Sequence, residues 1–397
     1  MTPSTPLAWA LCGFACAMPF SVAAANIGWG VVVAALLWRW RRGEAPEFSA
    51  VRGPLWLPLW LYLGAALASD LLGVDPAHSL RTFNQDAHKL WIAALLSVSF
   101  AADFPPLFPA ALAAGASVAA SLGVLQYVFQ WSSAPTDALR AHGFVHPVTF
   151  GEQMAIFFLG AFALAVASPR GVEGRGRRVA AGLLGLLSAA ALAFSNTRGA
   201  IAGAAAGAAA IVLLLPRLKR YAPAILCAAV AFVCAADLMH PNRSLILQLL
   251  GENERLHAGD QTVRLKLWEV ALRVGRDHLP TGVGVNNYRA VLPRYLDRTF
   301  EDSQRSWGTA HNLYLHQFAE RGLLGLAALG WLLWTMSRRA WARAARAPGF
   351  WSLWSWGATA CFLVMNMTEV ALQTELVWIL MWVVWFAGEA DAARTPA

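Results

Sequence analysis

The sequence predicts an all-α polytopic membrane protein with about twelve transmembrane helices and one large structured periplasmic loop between the ninth and the tenth. Hydrophobic residues make up 58% of its 397 positions and charged residues 14%, against roughly 25% charged in soluble domains. The mean hydropathy is +0.48. Apolar stretches near the length a helix needs to cross a bilayer, about 17 to 25 residues, recur along the whole chain.

In order, these stretches cover 7–24, 27–40, 54–72, 88–102, 106–130, 149–168, 178–195, 198–215, 221–239, 312–335, 349–368 and 372–388. The second and fourth are short and need flanking Trp or Lys side chains to snorkel at the interface. The division that follows is 1–239 for the first nine helices, 240–310 for the large loop, and 311–397 for the last three helices and a short tail. The first stretch has no basic leader or small-residue cleavage site and follows Pro3 and Pro6, so it is expected to stay as a helix and not to be removed as a signal peptide. Cys12, Cys16, Cys227, Cys234 and Cys361 all fall inside apolar stretches, which indicates neither a disulfide framework nor a thiolate metal site. No repeat of 20 to 50 residues is visible.

Cytoplasmic loops carry the excess of arginine and lysine. Arg39, Arg41, Arg42 and Arg52 lie in the second loop, and Arg170, Arg175, Arg177 and Arg178 in the sixth. Arg217, Lys219 and Arg220 lie in the eighth, and Arg338, Arg339, Arg343 and Arg346 in the tenth. Both termini are therefore expected in the cytoplasm, with the odd-numbered loops outside. The net charge of +8 is largely these clusters, which argues against a nucleic-acid partner.

The loop 240–310 is far longer than the usual helix connection of about 2 to 8 residues, so a structured subdomain or a lid is expected there. Within it, "QTVRLKLWEVALRVGR" (261–276) has helical spacing, with Val263, Leu267, Val270, Ala271 and Val274 on one arc and Lys266, Glu269, Arg273 and Arg276 opposite. Arg264 falls in the apolar arc, between Ala271 and Trp268. A guanidinium there needs a carboxylate or a phosphate: either a structural salt bridge or an anion site.

Two further stretches face the same side. In "FSNTRGAIAG" (194–203), Arg198 starts a helix beside Ser195, Asn196 and Thr197, where free backbone N–H groups welcome an anion. An interfacial arginine touching lipid phosphate is the plainer alternative. In "GTAHNLYLHQFAERGLLG" (308–325), His311 begins the tenth helix, and histidine is the residue type that can accept a proton near neutrality. A cap or interface residue is the alternative. Glu320 is turned to the opposite side, about 13 Å further along, and is expected to pair with Arg321 or a polar group of another helix. Gly322, Gly325 and Gly330 suit close helix packing. Lys89, with His88 beside it, and Arg140, ahead of "HGFVHP", are additional sources of positive charge for a lipid-phosphate site. "PTGVGVNNY" (280–288) has glycines spaced for a tight turn but follows no strand, so it is not a dinucleotide fingerprint. His257, His278 and His311 are too scattered to ligate zinc, and no metal or other cofactor is expected.

"SNTRGA", the segment from Arg264 to Trp268 with "PTGVGVNNY" after it, and "HNLYLHQFAERGLLG" together resemble the O-antigen ligase and O-antigen polymerase superfamily of bacterial envelope glycosyltransferases. The resemblance covers 190–330 by motif and the whole chain by its helix plan. It implies a glycan donor on undecaprenyl diphosphate and functional roles for Arg198, Arg264 and His311, with Arg140 a further family position. The protein O-oligosaccharyltransferase branch tends to carry a soluble extension after the last helix. Here the sequence stops soon after "WVVWFAG", which points away from a protein acceptor.

The implied function is transfer of O-antigen to the lipid A core oligosaccharide at the periplasmic face of the inner membrane. Arg198, Arg264, Arg140 and Lys89 are expected to bind diphosphate, which leaves readily once its charge is stabilised. His311 is expected to deprotonate or orient the acceptor hydroxyl, without a metal. The expected partners are the lipid-linked glycan, the lipid A core and membrane lipids. The alternatives are an O-antigen polymerase, a protein O-oligosaccharyltransferase and, further off, a secondary transporter using Glu152 and Glu320, whose two related halves are not evident.

Overall fold

A computed structural model describes residues 5–44, 48–131, 140–169, 172, 174–238, 259–296 and 308–394. Among them the structure is helical throughout, with no strand. The longer helices are α1 (Pro6–Ala17), α2 (Val22–Arg41), α3 (Trp56–Leu72), α4 (Pro76–Thr82), α5 (Asn84–Ala102), α6 (Phe108–Val128), α7 (Pro147–Ala167), α8 (Arg175–Ser195) and α9 (Arg198–Leu214). They continue with α10 (Ala222–Leu238), α11 (Gly259–Asp277), α12 (Leu313–Arg346), α13 (Phe350–Met365) and α14 (Glu375–Arg394). Five of these, α2, α6, α7, α8 and α14, are each long and apolar enough to cross a membrane, and α1, α3, α9 and α13 are shorter apolar helices.

The boundary between the first two helices corrects the sequence reading, which placed it after residue 24. The chain breaks at Pro19, which has no N–H to continue the helix, and Ser21 restarts it by accepting a hydrogen bond from Ala24 N at 3.0 Å. The second helix is thus longer than expected and the first shorter. The two pack together, and α1 also packs on α6. The bundle is closed by α7 against α8, α9 against α13 and α3 against α12. α14 is the most enclosed of the five candidate spans, with 72% of its apolar window buried against 22% for α2.

The helices run between two ends of one bundle. At one end Thr5 Oγ1 donates to Asp103 Oδ2 at 2.5 Å, Arg394 donates to Phe104 O at 2.8 Å, and Arg339 pairs with Glu389 at 2.8 Å. The arginine clusters gather here. At the other end lie the starts of α7, α9, α12 and α14.

Gly322 corrects a second expectation. It is not a packing glycine on a continuous helix but a break in one, with φ 63° and ψ −161° inside α12. In an unbroken helix the carbonyls of Ala319 and Glu320 accept from the N–H groups four residues on. Here the 280–288 turn replaces those donors: Val283 N donates to Ala319 O at 3.0 Å and Gly284 N to Glu320 O at 2.9 Å, while Leu324 N turns to Pro280 O at 3.3 Å. Gly282 and Gly284 take φ of 78° and 94° to make that turn. The turn is also tied to α3 and α4, through Val74 N to Val283 O at 2.9 Å and Asn287 Nδ2 to Ser79 Oγ at 3.0 Å. The "PTGVGVNNY" motif is therefore a bracket joining three segments at a helix break.

Of the expected subdomain 240–310, α11 and the 280–296 segment are described and pack on α12. His257 and Arg170 lie outside the described residues, as do 239–258 and 297–307.

Candidate functional site

The stretch "AHNLYLH" docks one helix start onto a loop. Asn312 caps α12 by accepting from Leu315 N at 3.1 Å, and its amide donates to Met367 O at 2.9 Å. Leu313 N is shared between Asn366 O at 2.9 Å and Glu369 O at 3.0 Å, and Tyr314 OH reaches Leu363 O at 2.7 Å. Asn366 in turn holds the loop closed by accepting from Ala371 N at 2.8 Å. These bonds fix Glu369 in the connection between α13 and α14. They also set His311, at φ 47°, just ahead of the cap.

Glu369 is the pivot. Its Oε1 lies 3.6 Å from Arg264 Nη2, and its Oε2 lies 3.9 Å from His311 Nδ1. Both distances are too long for a hydrogen bond. Arg264 Nη1 also donates to Thr368 O at 3.2 Å. Arg264 thus extends from the apolar face of α11 towards a carboxylate, which meets the requirement that a guanidinium in that arc be paired.

Arg198 stands at the start of α9 against the same loop: a Cβ on Gly199 would collide with Thr368 Oγ1, so only glycine allows this approach. Its Nε lies 3.1 Å from Asp237 Oδ1 at the end of α10. Arg140 covers the C-terminus of α8, donating to Ser195 O at 2.7 Å and to Thr197 Oγ1 at 3.4 Å, where a cation complements the negative end of the helix dipole. Thr197 donates to Pro147 O at 3.2 Å, which holds the start of α7 to the same turn.

The bundle therefore brings Arg140, Arg198, Arg264 and His311 into one contiguous patch at one end. The carboxylates sit beneath, with side chains 7% exposed for Asp237 and 8% for Glu369, while Arg198 and His311 are 32% and 31% exposed. Arg198 and His311 thus lie outward of two buried carboxylates. Both carboxylates were missed in the sequence. The signal was present: each is a lone acid in or beside an apolar stretch, and such residues are expensive unless they have work to do.

Lys89 is not brought into this patch. It is buried in α5, with Nζ 2.9 Å from Asp86 Oδ1 and within hydrogen-bond reach of Gln85 O. Asp86 also holds Arg321, whose Nη1 lies 3.6 Å from Glu320 Oε2. Glu320 lies 3.5 Å from His316 Nε2, and Tyr62 OH donates to Gln317 Oε1 at 3.2 Å. Lys89 thus belongs to a buried ion network between α3, α5 and α12. Glu320 pairs with Arg321 and His316 as its burial requires, and has no role beside His311.

Fold and site define a multi-pass helical membrane protein with a cationic patch, built from several helix termini, at one end of the bundle. Residues 183–330 match the family model described as O-antigen ligase. This likeness supports the O-antigen ligase superfamily and ligase- or polymerase-type glycosyl transfer. The matched stretch contains Arg198, Asp237, Arg264 and His311, whereas Arg140 and Glu369 lie outside it. No curated protein matches the chain.

Proposed function

We propose that the protein is an O-antigen ligase, transferring glycan from undecaprenyl diphosphate to the lipid A core oligosaccharide at the periplasmic face of the bacterial inner membrane. The observation that supports this most is the convergence of Arg140, Arg198, Arg264 and His311 on the loop that carries Glu369. In this reading residues 1–239 and 311–397 form the membrane bundle and 240–310 an outer subdomain over the patch. Both termini are cytoplasmic.

The guanidinium groups bind the donor diphosphate and stabilise the charge that builds on it as it leaves. The acceptor hydroxyl attacks the anomeric carbon, the bond from that carbon to the diphosphate oxygen breaks, and undecaprenyl diphosphate departs with the electron pair. The hydroxyl proton passes to Nε2 of His311. Nδ1 faces Glu369, whose negative charge favours the imidazolium that forms.

Deleting the coding sequence in its host tests the reading. Loss of a ligase leaves long glycan on the polyprenyl carrier and a bare lipid A core. Single repeats on the core would instead identify a polymerase, and loss of protein glycosylation alone a protein O-oligosaccharyltransferase.

A further inference from the structure

At the end of the bundle away from the patch, α12 and the first turn of α3 enclose a groove of about 600 Å³. Its lining is ordered along α12. Trp331 and Trp334 come first, 46% and 67% exposed, with Leu57 of α3 facing them at 57%. Arg338, Arg339, Arg343 and Arg346 follow. Trp331, Arg338 and Arg346 recur at helical spacing and so lie along one stripe, which climbs about 22 Å from the first to the last.

Two of the four guanidiniums meet one carboxylate. Glu389 takes Arg339 in a bidentate pair, 2.8 Å at both oxygens, and also holds Arg343. Arg343 is fixed further by Ser355 Oγ at 3.0 Å and by the ring of Trp385, 4.8 Å away, and its side chain is 7% exposed. The back wall of the groove is therefore rigid. Arg338 and Arg346 are exposed at the front and make no ion pair among the described residues. From Leu323 to Arg346 the helix is about 36 Å long, more than the roughly 30 Å of a hydrocarbon core, so its arginine turns stand at headgroup level when its tryptophans lie at the edge of the acyl region.

We propose that this groove binds an anionic glycerophospholipid: its phosphodiester lies between Arg338 and Arg346 against the Arg339–Glu389–Arg343 wall, and one acyl chain runs down over Trp331, Trp334 and Leu57. A free phosphate would use the arginines and leave the apolar half of the groove without purpose. Guanidinium and phosphate match in geometry as well as in charge, and basic pockets between membrane helices bind such headgroups. The inference rests on the membrane reading of the fold and is independent of the transferase reading.

The test uses the full-length protein in neutral detergent, with bound lipid counted by native mass spectrometry as dioleoylphosphatidylglycerol, dioleoylphosphatidylcholine or inorganic phosphate is titrated in. The expected result is retention of phosphatidylglycerol, with neither phosphatidylcholine nor phosphate retained. Arg338→Gln with Arg346→Gln should weaken phosphatidylglycerol binding by about tenfold or more. Arg175→Gln with Arg177→Gln removes the same charge from exposed positions at the start of α8 and should leave binding unchanged. Equal retention of phosphatidylcholine, equal retention of inorganic phosphate, an unaltered Arg338/Arg346 variant, or the same loss in the Arg175/Arg177 variant would each overturn the proposal. All variants replace exposed side chains, and a matching melting temperature confirms that the comparison is between folded proteins.

Discussion

Arg264 and His311, far apart in sequence, share one carboxylate: Glu369 presents Oε1 to the guanidinium at 3.6 Å and Oε2 to the imidazole at 3.9 Å. The arrangement couples the group proposed to hold the donor to the group proposed to activate the acceptor. The proposed donor role thus falls on a residue that also pairs with a buried carboxylate, so single substitutions have to be separated by a cycle.

Arg264→Ala leaves Glu369 buried with a poorer partner and should lower stability, whereas adding Glu369→Gln removes the uncompensated charge and should restore much of it. Transfer should stay below about a tenth of wild type in both. Melting temperature and transfer rate, measured on the four proteins of the cycle, check this. Wild-type transfer by the stable double variant would show that the pair serves only the fold.

Arg264→Lys keeps the charge and gives up the planar fork that reaches Thr368 O and Glu369 together. The expected outcome is near-normal abundance with transfer reduced about tenfold or more, because an ammonium does not replace two-point binding of phosphate. Full activity in the lysine variant would contradict the diphosphate role.

His311→Ala should depress turnover about a hundredfold or more with donor binding nearly intact, since proton removal matters in the transition state and the arginines hold the ground state. His311→Gln separates two roles. Near-normal turnover would show that the residue only orients the acceptor, and loss of donor binding in both variants would place it on the diphosphate.

Gly322→Ala should cost about 2 kcal/mol or more, because the position has φ 63° and a Cβ there would strike the Pro280 carbonyl. Gly330→Ala is the matched control: nothing lies within 4 Å of its added Cβ, and alanine in a helix should be neutral or stabilising by up to about 1 kcal/mol. Melting temperatures of the two variants decide the point, and equal behaviour would contradict the bracket at the helix break.

The helices were legible because apolar stretches of spanning length leave few alternatives once every backbone group must be satisfied within the segment. The break at Gly322 was not, since nothing local distinguishes a packing glycine from one that yields its carbonyls to a distant turn; only the 280–288 segment, lying against it, makes the break affordable. In the site, Arg198, Arg264 and His311 stood out as polar groups where apolar or helix-terminal positions disfavour them. Arg140 was weaker because the groups it meets, Ser195 O and Thr197 Oγ1, lie in a turn far from it in sequence. Lys89 misled for a related reason: a lysine beside an apolar stretch looks the same whether it faces phosphate or a buried aspartate one turn away. Asp237 and Glu369 carried a readable signal as isolated acids, but which cations they serve depends on how α9, α10 and the loop after α13 meet.

Purified protein incubated with undecaprenyl-diphosphate-linked glycan and lipid A core oligosaccharide, assayed for the joined product, tests the central claim most directly. The expected result is a covalent glycan–core product from the wild-type protein, reduced about a hundredfold or more by His311→Ala with the protein still folded. Absence of product from folded wild-type protein, or extension of one lipid-linked glycan by another in its place, would contradict it.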